Sequence, residues 1–199
     1  MYQLEKKKQW IYRDRELDIK ATVPPGWKAV KLETPELPAL QDEEAVKRSI
    51  KYPGYGESVK NLVVEKNAKS ACVLVSDATR AVPTARMLKY VVEDLVAAGI
   101  PNDQIYVFVA IGVHREATDL EMRSFLGDLY GKISIENHTP FDTSNLICLG
   151  ETSRGTPIWV NRKAYDCDLH IQIGKVEPHE FAGFSGAVSY THLTLPTIA

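Results

Sequence analysis

Two uninterrupted apolar runs constrain this chain more than any other feature: Ala71-Cys72-Val73-Leu74-Val75 and Ile105-Tyr106-Val107-Phe108-Val109-Ala110. A strand with one wet face alternates apolar and polar residues, whereas a run without polar positions suits a strand buried on both faces of a parallel sheet. Between the runs, Leu88, Val91, Val92, Leu95 and Val96 recur at helical spacing, with Pro83 suited to the helix entrance and Gly99 and Pro101 to its end. Strand, helix, strand in this order predicts parallel pairing through a right-handed crossover. A second helix is predicted over residues 119–126. Residues 145–150 and 157–160 read as strands joined by a hairpin-like link, residues 163–166 as a short helical turn, and Leu169, Ile171 and Ile173 mark a last strand. The expected fold class is α/β, an open, mostly parallel sheet flanked by helices.

Residues 1–66 carry weaker signals. Short strands are expected around Trp10-Ile11-Tyr12 and Ile19-Lys20-Ala21-Thr22-Val23, ahead of a Pro24-Pro25-Gly26 turn. A connector with Pro35 and Pro38 leads to a helix near residues 42–50, capped by Asp42, and residues 51–56 form a loop. The segment reads as a sheet edge with a covering helix.

Composition narrows the function classes. At 199 residues and 44% hydrophobic content, the chain can bury one sizeable core, with room for a small extension. A net charge of −2, with no like-charge block longer than Lys6-Lys7-Lys8, argues against nucleic acid and anionic membranes as partners. The first residues contain no apolar signal-peptide core and no run has the length of a membrane span, so a cytoplasmic location is expected. Cys72, Cys148 and Cys167 are odd in number and lie in or beside apolar runs, which reads as buried free thiols.

The ends of the strands carry the chemistry. The first apolar run leads into Ser76-Asp77-Ala78-Thr79-Arg80, the second into Gly112-Val113-His114-Arg115, and the last strand into Gly174-Lys175-Val176-Glu177-Pro178-His179. In an open α/β sheet, ligands bind outside the carboxyl ends of the strands, so Asp77, Arg80, His114 and His179 are expected around one crevice. Two imidazoles flanking a substrate carbon can exchange general-base and general-acid roles near neutral pH, which suits inversion of a stereocentre. The planar fork of Arg80 matches a carboxylate or phosphate. Asp77 is suited to orienting Arg80, capping the next helix or accepting from a ligand hydroxyl, and spacing does not choose among these. Taken singly, each histidine reads as a hydrogen-bonded structural residue; three loops converging on one edge favour the functional reading. His138 reads as a turn residue and His170 as a half-buried one.

Four segments in order, Asp77-Ala78-Thr79-Arg80-Ala81-Val82-Pro83, Gly112-Val113-His114-Arg115, Gly150-Glu151-Thr152-Ser153-Arg154-Gly155-Thr156-Pro157 and residues 174–186 ending in Gly183-Phe184-Ser185-Gly186, resemble the N-terminal domain of the nickel-dependent lactate racemase family. The resemblance runs from about Ala71 to Gly186 and implies a Rossmann-like N-terminal domain over residues 1–187, with 1–66 as a looser extension. It implies racemisation or epimerisation of 2-hydroxy acids by hydride transfer to a nickel-pincer nucleotide, a pyridinium-3,5-bisthiocarboxylic acid mononucleotide. On this resemblance His114 and His179 match the paired acid/base histidines, Asp77, Thr79 and Arg80 the cofactor-contacting loop, and Arg80 also a substrate contact. Implied partners are a small 2-hydroxy acid and the cofactor-assembly proteins. No metal-ligating residue is assigned within the chain.

The chain also departs from that pattern. The family places a covalent anchor lysine ten residues beyond the second histidine, and Ser189 stands there. Residues 188–199 look unlike the family and similar to a translated sequencing adapter, so they are expected to be a non-native tail, and the chain an N-terminal fragment inactive alone. The competing expectation is a pincer-independent module that binds a carboxylate or nucleotide.

Overall fold

The structure is a computed structural model that describes residues 9–14, 17–28, 30, 43–112, 114–179 and 183–185. The chain divides into two compact units, Met1–Leu40 and Gln41–Ala199.

In the first unit β1 (Gln9–Asp14) and β2 (Leu17–Thr22) pair antiparallel, from Gln9 opposite Thr22 to Asp14 opposite Leu17. The predicted Pro-Pro-Gly turn follows: Trp27 N–H donates to Pro24 O at 3.2 Å, and Gly26 takes the positive φ of 84° that the third position of such a turn requires. The expected prolines of the connector, Pro35 and Pro38, and the Asp42 cap lie outside the described residues.

The second unit opens with α1 (Glu43–Lys51) and α2 (Val59–Lys66). The chain then alternates through β3 (Ala71–Ser76), α3 (Thr84–Ala97), β4 (Ile105–Ala110), α4 (Asp119–Leu126) and β5 (Ser134–Asn137). An antiparallel hairpin, β6 (Leu146–Glu151) and β7 (Pro157–Asn161), and the short α5 (Arg162–Tyr165) lead to β8 (Leu169–Ile173). A second small hairpin closes the described chain, β9 (Glu177–His179) with β10 (Gly183–Ser185).

The central sheet has the order β5-β4-β3-β8, and every neighbouring pair is parallel. The apolar runs behave as a doubly covered sheet requires. Ala71, Val73 and Val75 of β3, with Ile105, Val107 and Val109 of β4, enter one core with Leu88, Val91, Val92 and Leu95 of α3. The intervening Cys72 and Phe108 pack on the other face with Cys167, flanked by Leu74, Tyr106 and Ala164. Helix α3 ends as its sequence predicts: Gly99 at φ 107° turns the chain, Ile100 N–H returns to Leu95 O at 3.1 Å, and Ile100 is fully buried. Val96, expected on the apolar stripe, is instead 45% exposed.

Strand β8 lies beside β3 although almost a hundred residues separate them, and Asp168 sets their alignment. One of its carboxylate oxygens, Oδ2, accepts from Lys69 N at 2.8 Å, Ser70 N at 3.1 Å and Ser70 Oγ at 3.2 Å, immediately before β3 begins. The pairing that follows runs from Ala71 opposite Leu169 to Val75 opposite Ile173.

Other differences from the sequence expectations have local causes. Helix α2 spans only 8 residues, and its start depends on the Ser58 side chain accepting from Asn61 N. Strand β5 is 4 residues long, and only Ile135 of it joins the core. His170 is exposed, its Nε2 donating to Ala164 O at 2.8 Å, while His138 is buried and receives the Asn161 amide at Nδ1, 3.4 Å away. Cys72 and Cys167 are buried free thiols, but Cys148 is exposed. Hydrogen bonding with Cys167 and burial both push the Cys72 thiol upward, which keeps it protonated and inert.

Replacing Leu88, which has no exposed surface, by alanine is expected to cost about 3 kcal/mol. Leu120→Ala, at a side chain 77% exposed, should stay within about 0.5 kcal/mol. Urea unfolding of the two variants measures both.

Candidate functional site

The strand order locates the site. From β3 the chain moves one way to β4 and β5, then returns to the other side of β3 with β8. At such a reversal the loops leaving adjacent strands diverge and open a crevice at the carboxyl edge. Ser76 and Ala110 are the last paired residues of β3 and β4, and Val75 with Ile173 those of β3 and β8, so the loops carrying Asp77, His114 and His179 all leave from that edge.

Asp77 is at the centre of what these loops build. It is 6% exposed, and both carboxylate oxygens are engaged. Oδ1 accepts from Thr79 N at 2.8 Å and from Thr79 Oγ1 at 2.5 Å, a tight Asx turn. Oδ2 lies 2.6 Å from Nδ1 of His114. Burial raises the Asp77 carboxyl, but the hydrogen bonds from Thr79 and His114 outweigh it and hold the group below its ordinary 3.8. An ionised carboxylate can only accept, so Nδ1 of His114 carries the proton, and Nε2 is the ring nitrogen left to meet a ligand. The His114 side chain is 45% exposed, which leaves that nitrogen open to a ligand.

Backbone geometry brings His114 to this position. After β4, Ile111 N–H bonds back to Val109 O at 3.0 Å, Gly112 adopts φ 56°, and His114 N–H reaches Ile111 O at 2.9 Å. The turn needs the left-handed residue, and only glycine takes it without strain. The next side chain is held elsewhere: Arg115 forks onto Glu121 through Nη2–Oε1 at 2.6 Å and Nη1–Oε2 at 2.8 Å, and this fork above all holds the Glu121 carboxyl down to about 2. Glu121 also completes a capping box with Thr118 at the start of α4.

Of the roles open to Asp77 in the sequence, the structure does not show the two local ones. It does not pair with the Arg80 guanidinium, and the entrance of α3 has Pro83 at the cap position without a side-chain bond. Arg80 meets Asp77 only through the backbone, Arg80 N to Asp77 O at 3.2 Å. The Arg80 side chain is exposed and makes no hydrogen bond or ion pair among the described residues. The Thr79 hydroxyl proton is committed to Asp77, so its oxygen can serve a ligand only as an acceptor. His179 ends β9, its backbone opposite Gly183, and its side chain lies outside the described residues, as does Gly186. The tip of the β6–β7 hairpin closes on itself, with Thr152 N donating to Thr156 O at 2.8 Å and Gly155 N to Thr152 O at 2.9 Å.

Sequence reasoning missed the Asp77–His114 pair itself, since the partners stand 37 residues apart and only strand pairing joins them. It also missed the roles of Glu121 and Asn137 in holding the His114 loop. The capping-box pattern of Thr118 and Glu121 was a signal that could have identified the former.

Residues 12–189 match the family described as the lactate racemase N-terminal domain. The lactate racemase of Lactiplantibacillus plantarum is 30% identical over 148 residues, which are 74% of this chain and 34% of that protein. That of Thermoanaerobacterium thermosaccharolyticum is 29% identical over 148 residues, with the same shares. Among solved structures, the lactate racemase apoprotein from T. thermosaccharolyticum aligns with a TM-score of 0.66 at 29% identity, covering 74% of this chain and 35% of that one. A crystal structure of a Thermotoga maritima protein aligns at 0.60 and 25% identity, covering 77% and 38%. The chain spans about a third of the length of the curated relatives it matches.

The Asp77 carboxyl is depressed in the folded chain, so its contribution to stability is complete above its ordinary value and is lost as pH falls through the lower folded value. Asp77→Asn should therefore cost about 1–3 kcal/mol at pH 7. The deficit should shrink below about pH 4, as thermal unfolding across a pH series would register.

Proposed function

This chain belongs to the lactate racemase N-terminal domain family, and from that premise we propose that it is the catalytic-histidine part of a 2-hydroxy acid racemase or epimerase. The observation that carries the reading is the 2.6 Å contact between Asp77 Oδ2 and His114 Nδ1 at the carboxyl edge of the sheet. A buried carboxylate that holds Nδ1–H leaves Nε2 as a base and stabilises the imidazolium formed when that nitrogen takes a proton. His114 Nε2 accepts the hydroxyl proton of the 2-hydroxy acid as the hydrogen on the α-carbon leaves as hydride, giving the planar 2-keto acid. His179, on the separate β9–β10 hairpin, is the second acid/base group, for the opposite enantiomer. Arg80, exposed and without a side-chain partner among the described residues, engages the substrate carboxylate.

A hydride acceptor is needed, and in this proposal it is the nickel-pincer nucleotide, which supplies that chemistry when bound. The donor set suits such a group. Arg80, without a side-chain partner among the described residues, would offer its cation to an anionic nucleotide, and Asp77 and Thr79 stand on the same loop. Among the described residues no three His, Cys, Asp or Glu side chains converge. Ser189, at the position of the anchor lysine, makes the 199-residue chain inactive alone in this reading. The competing reading, a pincer-independent module for a carboxylate or nucleotide, rests on Arg80 alone. Cytoplasmic residence and service by cofactor-assembly proteins belong to the same proposal; no helix among the described residues is long and apolar enough to cross a membrane.

The test is expression of a full-length protein carrying this domain, together with the assembly proteins, followed by intact mass, nickel content and a racemisation assay. A covalent mass increment with about one nickel per chain is expected, and His114→Ala and His179→Ala should each lower the racemisation rate by about 10²- to 10⁴-fold at unchanged nickel content. A protein without added mass or nickel, under conditions that load a known lactate racemase, would leave the binding-module reading in its place.

A further inference from the structure

His114 sits on a loop, residues 111–118, and a loop holds a side chain to a fraction of an ångström only if its backbone is tied down. Four of its ties bear on this. The loop's first turn closes through His114 N and Ile111 O, the Arg115 fork grips Glu121, and Thr139 Oγ1 donates to Glu116 Oε1 at 3.2 Å. The fourth has the most specific geometry. Asn137 Oδ1 accepts from Ala117 N at 3.0 Å, and Asn137 Nδ2 donates to Ala117 O at 3.1 Å.

One carboxamide thus satisfies both backbone groups of one residue, as a neighbouring strand would. Its place in the sheet explains why. Asn137 is the last residue of β5 and pairs with Val109, one residue before β4 ends at Ala110. The Asn137 side chain supplies the rung that the departing backbone can no longer make. Ala117 is 7% exposed, so its N–H and C=O would otherwise lack water as a partner.

We infer that Asn137 is a positioning residue for His114: by clasping Ala117 it fixes the loop so that Nδ1 stays on Asp77 and Nε2 stays turned to the crevice. The inference rests on the proposed acid/base role of His114. It does not rest on measured racemisation, because what Asn137 controls is the tautomer of one ring. A neutral imidazole in water prefers the proton on Nε2, the opposite of the form that Asp77 selects.

The test uses the 199-residue chain labelled with 15N-histidine and long-range 1H–15N correlation spectra at a pH where the rings are neutral, with His114→Gln to assign the signal among the five histidines. The wild-type ring is expected in the Nδ1–H form. Asn137→Ala should shift His114 to mostly Nε2–H. Asn137→Asp, whose carboxylate accepts from Ala117 N but cannot donate to Ala117 O, should give an intermediate ratio and covers the case in which the alanine variant does not fold. Ile135→Val, a loss of packing in the same strand, should lower the melting temperature and leave the tautomer unchanged. The inference is overturned if both Asn137 variants keep the wild-type ratio, or if Ile135→Val moves it as far. A wild-type ring already in the Nε2–H form would overturn it differently, by removing the Asp77–His114 contact and the proposed base with it.

Discussion

The parallel pairing of β3 with β8 is the constraint on which the rest depends. β3, β4 and β5 can add side by side through local crossovers, but a sheet that grows in one direction has no reversal and hence no crevice at its carboxyl edge. The reversal is made by a contact between segments almost a hundred residues apart, and the Asp168 carboxylate, gathering the Lys69 and Ser70 amides and the Ser70 hydroxyl, sets where it starts.

That arrangement explains how far the sequence could be read. The sheet was legible in β3 and β4 because each carries a run of five or six residues with no charged or strongly polar side chain, and both faces are in fact covered. Helix α3 was legible because its apolar stripe and its Gly99 terminus point to the same boundary. α2 and β5 were not: the first is short and starts on one serine, and the second carries a single core side chain, Ile135, among polar neighbours at the sheet edge. His138 and His170 exchanged their expected environments because burial at a strand end depends on what packs above it, which one-dimensional spacing does not encode.

The candidate site divides in the same way. That the loops carrying Asp77, Arg80, His114 and His179 leave one sheet edge follows from motif positions at strand ends, and the family match spans all four residues. What each residue touches is a matter of three dimensions. Asp77 had two local roles open to it and took a distant partner, because an Asx turn with Thr79 uses one carboxylate oxygen and leaves the other aimed across to the β4 loop. Asn137 was invisible for the same reason: its function is to replace a missing strand neighbour, and nothing in Ser-Ile-Glu-Asn announces where the adjacent strand will depart.

The late position of β8 has a consequence for biosynthesis. As the chain leaves the ribosome, β3 emerges almost a hundred residues before the strand that completes its second side. Until residues 169–173 follow, β3 presents an unpaired, fully apolar edge, the kind of surface that recruits other strands and chaperones. Assembly of the crevice and protection of that edge are therefore one event, so a nascent chain stalled before β8 is at once without its site and most exposed to misassociation.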